Sequence, residues 1–339
     1  MDRSPSRGRA RLTVLALLVI LGMPGIVAAQ SYIETGVTNG LGNSRHPFDK
    51  ASQRKIVRTR AGSPYDPWVY VVYSRVNAGT GRNEVVLARS TTLFHSTNEK
   101  VVLFGQGGAV VNSATTDFVY PALDASVDGR QLHVTVLDQT NVDVLYTRNV
   151  SLSGTGWQTA WAQAAGGTSP RYDTISTFAY GADTAPALAV DASGRPHVAW
   201  ARADGSARPN LYYRTWQGSW SAETNLSGIT GTGTLPQALD PSIDWSNGFV
   251  HVLYKDDASP NDGTAKTDRY RYVRNQTSGS YATLLAPVTV MQPTTNDIGH
   301  PGSLAATGSS VFVVGTATGA GTDYSWSNYS TDSGATWLQ

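Results

Sequence analysis

Arginines, carboxylic acids and tyrosines punctuate this chain at intervals, and they are residue types that do chemistry. Arg75, Arg82 and Glu84 come first, then Asp117 and Tyr120. Arg171, Tyr172, Asp173, Tyr180 and Asp183 follow, then Arg202, Asp204, Asp240, Asp256, Asp257 and His300. A guanidinium grips a carboxylate through two parallel hydrogen bonds. A carboxylic acid or a histidine moves a proton. Other chemistries have no residues to carry them. The 339 residues include no cysteine, which excludes disulfides, metal thiolates and a thiol nucleophile. There is no G-x-S-x-G, H-E-x-x-H, phosphate-binding loop or zinc spacing.

Two recurring sets have a plainer reading. His133, His197 and His251 occupy one strand position in successive units. Ligands spread over separate units do not converge on a metal, so packing or a strand-to-strand hydrogen bond is expected. Arg89, Arg148, Arg214 and Arg274 also recur in register and are expected to bridge neighbouring units. The loop around Asp256, Asp257 and Asp262 clusters the hard oxygen donors that calcium takes. It does not match the EF-hand pattern, and a solvated loop is the competing reading. No other metal or cofactor is indicated. Asn149-Val150-Ser151 and Asn275-Gln276-Thr277 are glycosylation sequons.

The elements that must position these residues are short strands. Residues 186–200, PALAVDASGRPHVAW, read as two strands and a tight turn. The pattern returns after Pro121, Pro241 and Pro301, so the prolines step by 65, 55 and 60 residues. An earlier copy keeps only its second strand, 69–73. A third strand follows each copy, at 86–89, 145–148, 211–214, 272–275 and 325–328. A turn with glycine and an aromatic then leads to a fourth strand in three units (Gly156-Trp157, Gly218-Ser219-Trp220, Gly279-Ser280-Tyr281). Five units of four strands at this period predict an all-β propeller of antiparallel blades. It closes through a strand at 32–37, or else it is a truncated six- or seven-bladed propeller. The end in a turn motif favours truncation.

Residues 1–29 read as a secretory signal peptide: four arginines, a short apolar core at 12–23 and Val27-Ala28-Ala29 as the cleavage site. Removing them takes away four arginines and one aspartate, so the formal charge falls from +1 to −2. A near-neutral chain has no cationic field for nucleic acid. No further segment is apolar enough to span a membrane as a helix. From residue 54 onward the period does not break, so 30–339 is expected to be one domain.

The last stretch, Ser330-Thr331-Asp332-Ser333-Gly334-Ala335-Thr336-Trp337, fits S-x-D-x-G-x-x-W at all four defined positions, Ser330, Asp332, Gly334 and Trp337. It resembles the Asp-box of the sialidase-type (BNR-repeat) propellers, and it falls between the third and fourth strands, as in that family. The first unit is similar to that family's opening blade in the strand ending Tyr73-Ser74-Arg75 and the strand 85–91. The resemblance covers nearly all of the chain beyond the leader. It implies a structural role for the box, on the face opposite the active site.

Strand order then sorts the loops. Turns between strands one and two, and three and four, share one face with the box. The loops 75–83, 138–141, 202–210 and 255–268, with the inter-unit connections, share the other, and function concentrates on such loops. By its place after the second strand, Arg75 resembles one arginine of the family's carboxylate clamp. Glu84, Tyr120 and Asp183 are the candidates for the remaining catalytic roles. Arg202, Asp240, Asp256, His300 and Tyr180 are candidate substrate-binding residues. The family's R-I-P triplet is missing; Arg54-Lys55-Ile56-Val57 stands nearest its place. No glutamate sits beside a tyrosine on this face. The expectation is therefore a secreted sialidase-like propeller that acts on or binds a carbohydrate or glycoconjugate, as a glycosidase or polysaccharide lyase rather than a strict sialidase. The alternative is a non-catalytic, lectin-like or protein-binding scaffold.

Overall fold

Apolar residues that alternate with polar ones, or run unbroken, form the middle strands of five sheets in the computed structural model, antiparallel but for Val111–Asn112, which runs parallel to Glu99–Gly105. The residues described are 54–59, 63–91, 99–176, 185–203, 209–228, 237–257, 269–292, 302–319 and 322–338. Sheet 1 is built from Ile56–Arg58, Val69–Val76, Asn83–Ser90, Glu99–Gly105 and Val111–Asn112. Sheet 2 has Phe118–Ala125, Leu132–Asp138 and Asp143–Asn149. Sheet 3 has Ala187–Val190, Pro196–Ala203, Pro209–Thr215 and Thr224–Asn225. Sheet 4 has Gln237–Ser246, Phe249–Asp257 and Arg269–Thr277. Sheet 5 has Ser303–Thr307, Ser310–Gly319 and Thr322–Ser330. The arrangement is propeller-like: within each sheet the strands pair in chain order, and each sheet lays its first strand against the sheet before it.

The fourth position departs from the expected single strand. In sheet 2 it is divided between Trp161–Ala162 and Asp173–Ser176, and in sheet 4 between Ser280–Leu284 and Val288–Met291. Gly156–Thr159 is a helical turn instead of the approach to a strand. Asn149 Nδ2 donates to the Gly156 carbonyl at 3.1 Å, and a side chain at 156 would collide with Ser151, so the turn is tightly wound. The first unit does possess a first strand, Ile56–Arg58, whose three residues are too few to show a period. Sheet 5 has three strands among the described residues, and a single bridge from Tyr329 to Leu338 stands where a fourth would begin. The segment 32–37 lies outside the described residues, as do residues 1–29.

Four apolar layers fill the spaces between successive sheets. Leu87, Leu103 and Phe104 meet Phe118, Leu123 and Val134 in the first, and the later layers repeat that arrangement. In sheets 2 to 5 the turn after the third strand sends an aromatic ring back into the layer. Trp157 lies under Arg89 at 4.6 Å, and Trp220 meets Tyr146 edge-on at 5.2 Å. Tyr281 meets His197 at 4.4 Å, and Trp337 meets Tyr272 at 4.8 Å. Of the recurrent arginines, Arg89 and Arg214 bridge sheets, reaching the carbonyls of Leu152 and Ile175. Arg148 and Arg274 stay within their own sheets, on Gln163 and over Phe249.

The repeated histidines make strand-to-strand hydrogen bonds. His133, His197 and His251 place Nδ1 at 2.7, 2.6 and 2.6 Å from the hydroxyls of Tyr146, Tyr213 and Tyr272. Burial lowers all three, His133 to about 3 and His251 to about 4.

A polar knot joins the first strands. Arg54 pairs with Asp124 and with Asp244, each at 2.6 Å. Asp124 also accepts the Val190 N–H at 2.8 Å, and Asp244 accepts the Ala306 N–H at 2.9 Å. One residue from every sheet is thus engaged. Burial opposes the charge on Arg54, but the two carboxylates outweigh it and raise its pKa above the ordinary arginine value. Burial pushes the Asp124 carboxyl up, against the pull of Arg54. Among the described residues no helix is long and apolar enough to cross a membrane.

Arg54→Ala leaves two partly buried carboxylates facing each other. It is expected to cost about 3–5 kcal/mol in a denaturant titration; a loss under 1 kcal/mol would show that the knot is dispensable. Acid sensitivity provides a second check. In the unfolded chain the histidines protonate near 6.5, whereas in the fold they stay neutral to lower pH. The contribution of His133 and His251 is fully present above pH 6.5 and is lost as pH falls toward 4, on the order of 3 kcal/mol each. His251→Gln should flatten the pH dependence of Tm in that window, and an unchanged slope would contradict this assignment.

Candidate functional site

The two ends of the sheets differ. One carries tight turns: Asp128-Gly129, Ser193-Gly194 and Asn247-Gly248. Ser330–Trp337 lies at that end. Ser330 Oγ and Asp332 accept the backbone N–H groups of Gly334, Ala335 and Thr336 at 2.8, 3.0 and 2.8 Å. These bonds, with Thr336 Oγ1 donating to the carboxylate first among them, hold Asp332 well below the usual carboxylate range. Gly334 has φ +82°, and a Cβ there would strike the Tyr272 hydroxyl.

The other end gathers arginine–carboxylate pairs. Arg75 and Glu84 face each other in register on adjacent strands, with Nε to Oε1 at 2.6 Å. Glu84 is only 1% exposed, and Asn77 Nδ2 donates to its other oxygen at 2.8 Å. Gly105 makes room for it, since a Cβ there would lie 2.5 Å from that of Glu84. Next to this pair, Arg82 reaches Asp117 at 2.6 Å, and Asp117 accepts the Asn83 N–H at 2.8 Å. Burial opposes ionisation of Asp117, but Asn83 and Arg82 hold its pKa below the ordinary value. Thr140 accepts the Asp117 N–H at 2.9 Å, which pins loop 138–141 beside them.

In sheet 3, Arg202 lies over the Tyr212 ring at 3.9 Å and pairs with Glu223. In sheet 4, the buried Asp256 receives Arg269 at 2.8 Å and Arg271 at 3.4 Å, while its Oδ1 has no hydrogen-bond partner. Tyr120 and Asp240 occupy equivalent places before Pro121 and Pro241, with φ of +52° and +51°. Each lies in a break of the strand register, between Val119 and Ala122 and between Leu239 and Ser242. Positive φ at non-glycine residues and bulged strands cluster near functional sites. The Tyr120 ring is buried in the layer between sheets 2 and 3.

These placements sort the sequence candidates. Arg75 and Glu84 come together, with each other as partners. Arg202 and Asp256 lie at the same end, in sheets 3 and 4. Arg171 and Asp173 serve the framework, on the Ala109 carbonyl and the Ala164 N–H. Asp183, Tyr180, His300 and Asp262 lie outside the described residues, and of Asp257 only the strand position is described. Among the described residues no cluster of three acidic or histidine side chains is arranged to hold a metal ion. Sequence reasoning missed Glu223, Arg269 and Arg271. Glu223 gives no signal, being 21 residues from Arg202. The spacing Arg269-x-Arg271 on one strand face was a usable clue.

No protein-family model matches the chain, and no curated protein matches its sequence. Solved structures do. The polysaccharide lyase Uly1 superposes with a TM-score of 0.52 at 14% identity, over 91% of this chain and 76% of that one. The α-L-arabinofuranosidase Arb93A from Fusarium graminearum gives 0.49 at 16% identity, over 82% and 76%. The first of these matches carries the likeness, which is one of fold.

Glu84 ties the loop end to the sheet 1 core. Arg75→Ala should therefore cost about 3 kcal/mol by leaving the buried carboxylate without its cation. Adding Glu84→Gln should restore part of the loss in a thermal melt. A double variant no more stable than Arg75→Ala alone would contradict the pairing.

Proposed function

We propose that this protein is an exported propeller-like protein that acts on or binds carbohydrate at the loop end of its sheets, as a glycosidase or a polysaccharide lyase. One observation carries the reading: arginine–carboxylate pairs from sheets 1, 3 and 4 gather at that end, while tight turns occupy the other. The fold likeness to a polysaccharide lyase is in keeping with it. Arginines at such a surface suit sugars that bear a carboxylate, because the guanidinium fork matches that group. In this reading Arg75, Arg202, Asp240 and Asp256 line the ligand's path, with Tyr180, Asp183 and His300 from the adjoining connections. Residues 1–29 direct export, and Ser330, Asp332, Gly334 and Trp337 form an Asp-box of sialidase type.

A second reading, a lectin-like scaffold without turnover, draws on a different observation. Glu84, Asp117, Glu223 and Asp256 are all held by arginine, and Glu84 and Tyr120 are buried. One screen separates the two. The protein is offered sialosides, uronic-acid polysaccharides and arabinans, with binding and product formation both measured. Turnover that falls at least about 10-fold in Arg202→Ala with the fold intact supports the enzyme. Binding without turnover supports the scaffold, and neither on any glycan contradicts the proposal.

A further inference from the structure

Four asparagines of the chain stand in Asn-x-Ser/Thr triplets: Asn149, Asn225, Asn275 and Asn328. The fold treats them differently. Asn149 and Asn275 are 0% exposed and Asn328 is 3% exposed. Each lies near the end of a third strand, and each spends its amide group there. Asn149 Nδ2 donates to the Gly156 carbonyl at 3.1 Å. Asn275 Nδ2 donates to the carbonyls of Thr277, Gly248 and Ser280 at 2.7, 3.1 and 3.1 Å, while its Oδ1 accepts the Val250 N–H at 2.7 Å. Asn328 Nδ2 donates to the Val290 carbonyl of sheet 4 at 2.8 Å. An amide nitrogen buried in this way is out of reach of an enzyme, and a sugar attached to it has no room.

Asn225 is the exception. It lies on Thr224–Asn225, the outermost strand of sheet 3, and it is exposed. Its Oδ1 accepts the N–H groups of Ser227 and Gly228 at 3.1 and 2.9 Å and the Ser227 hydroxyl at 3.1 Å. Its Nδ2 has no hydrogen-bond partner among the described residues. The sequence separates the same residue from the other three. Glu223 stands two residues before Asn225, where the other triplets have Thr147, Val273 and Trp326. A transferase with a cationic acceptor groove grips such a carboxylate. We propose that Asn225 is the N-glycosylation site of this chain, with an oligosaccharide carried on a lipid pyrophosphate as the donor. The amide nitrogen bonds to the anomeric carbon of the sugar and gives up one of its two protons. The bond from that carbon to the pyrophosphate breaks, and the lipid pyrophosphate leaves with the electron pair. This rests on the export in the proposed function, because the donor is used on the exported side of a membrane. A bulky polar group at this place covers the unpaired edge of a two-residue strand, which is otherwise open to pairing with another chain.

The full chain is exported in two hosts to test this, one with the eukaryotic oligosaccharyltransferase and one carrying a bacterial oligosaccharyltransferase and its lipid-linked donor. Peptides of the folded product are mapped by mass spectrometry. One glycan on the peptide that holds Asn225 is expected, with Asn149, Asn275 and Asn328 bare. Asn225→Asp removes the amide nitrogen but keeps an oxygen that accepts the same N–H groups. It should abolish the mass gain and leave the melting temperature unchanged. A folded product without sugar in either host overturns the proposal, and so does sugar on Asn149, Asn275 or Asn328 of folded protein. A chain that residues 1–29 fail to export, but that is exported and modified at Asn225 behind the host's own leader, supports the assignment and counts against the export reading instead.

Discussion

A single guanidinium, that of Arg54, links carboxylates contributed from 70 and 190 residues away. Through Asp124 and Asp244 it reaches the backbone of the third and fifth sheets as well. Sheets stacked by apolar layers alone slide with little penalty, because such layers lack direction. Charge-assisted hydrogen bonds have direction. With one oxygen each on Arg54 and the other on a neighbouring strand, the two aspartates set how far successive first strands are offset. The desolvation they suffer is large, so the knot contributes to register more than to net stability. Ala189 takes the aspartate's place in sheet 3, which the knot enters only through its Val190 N–H.

With the first strands set, the rest of each sheet follows from aromatic packing. The ring that each unit returns to the sheet before it fills the layer near the turn end. Gly334 and Gly156 are needed where those turns run close to neighbouring side chains or backbone. The turn end is thereby committed to packing. The loop end is left for polar residues, and there the arginines find carboxylates across strands and between sheets. Tyr120 and Asp240 mark where the first strands bend out of register to enter that region.

Much of the architecture could be read from spacing. The repeated Pro–strand–turn–strand text located four of the sheets and a lone matching strand the first, and the recurrent histidines announced a bond between strands that His133 and Tyr146 make. What escaped reading was long-range or too short. Arg54 and Lys55 look like an isolated basic pair beside a three-residue strand, and nothing local names their partners. Yet Leu123-Asp124 and Ile243-Asp244 sit in the same place in two copies, and that repetition was available. The fourth strands were misplaced because a helical turn and two split strands carry no period. At the loop end the sequence supplied Arg75, Glu84, Arg202 and Asp256 but not their pairing, which depends on register and on Glu223, Arg269 and Arg271.

In the proposed function, the knot and the aromatic layers hold the loop ends of the sheets as one surface for carbohydrate. Hydrogen exchange of the backbone with and without a bound oligosaccharide tests it most directly. Protection should rise around Arg75–Glu84, Asp117–Tyr120, Arg202 and Asp256–Arg271, and stay unchanged in the turns at Asp128-Gly129, Ser193-Gly194 and Asn247-Gly248. Protection confined to those turns would contradict it.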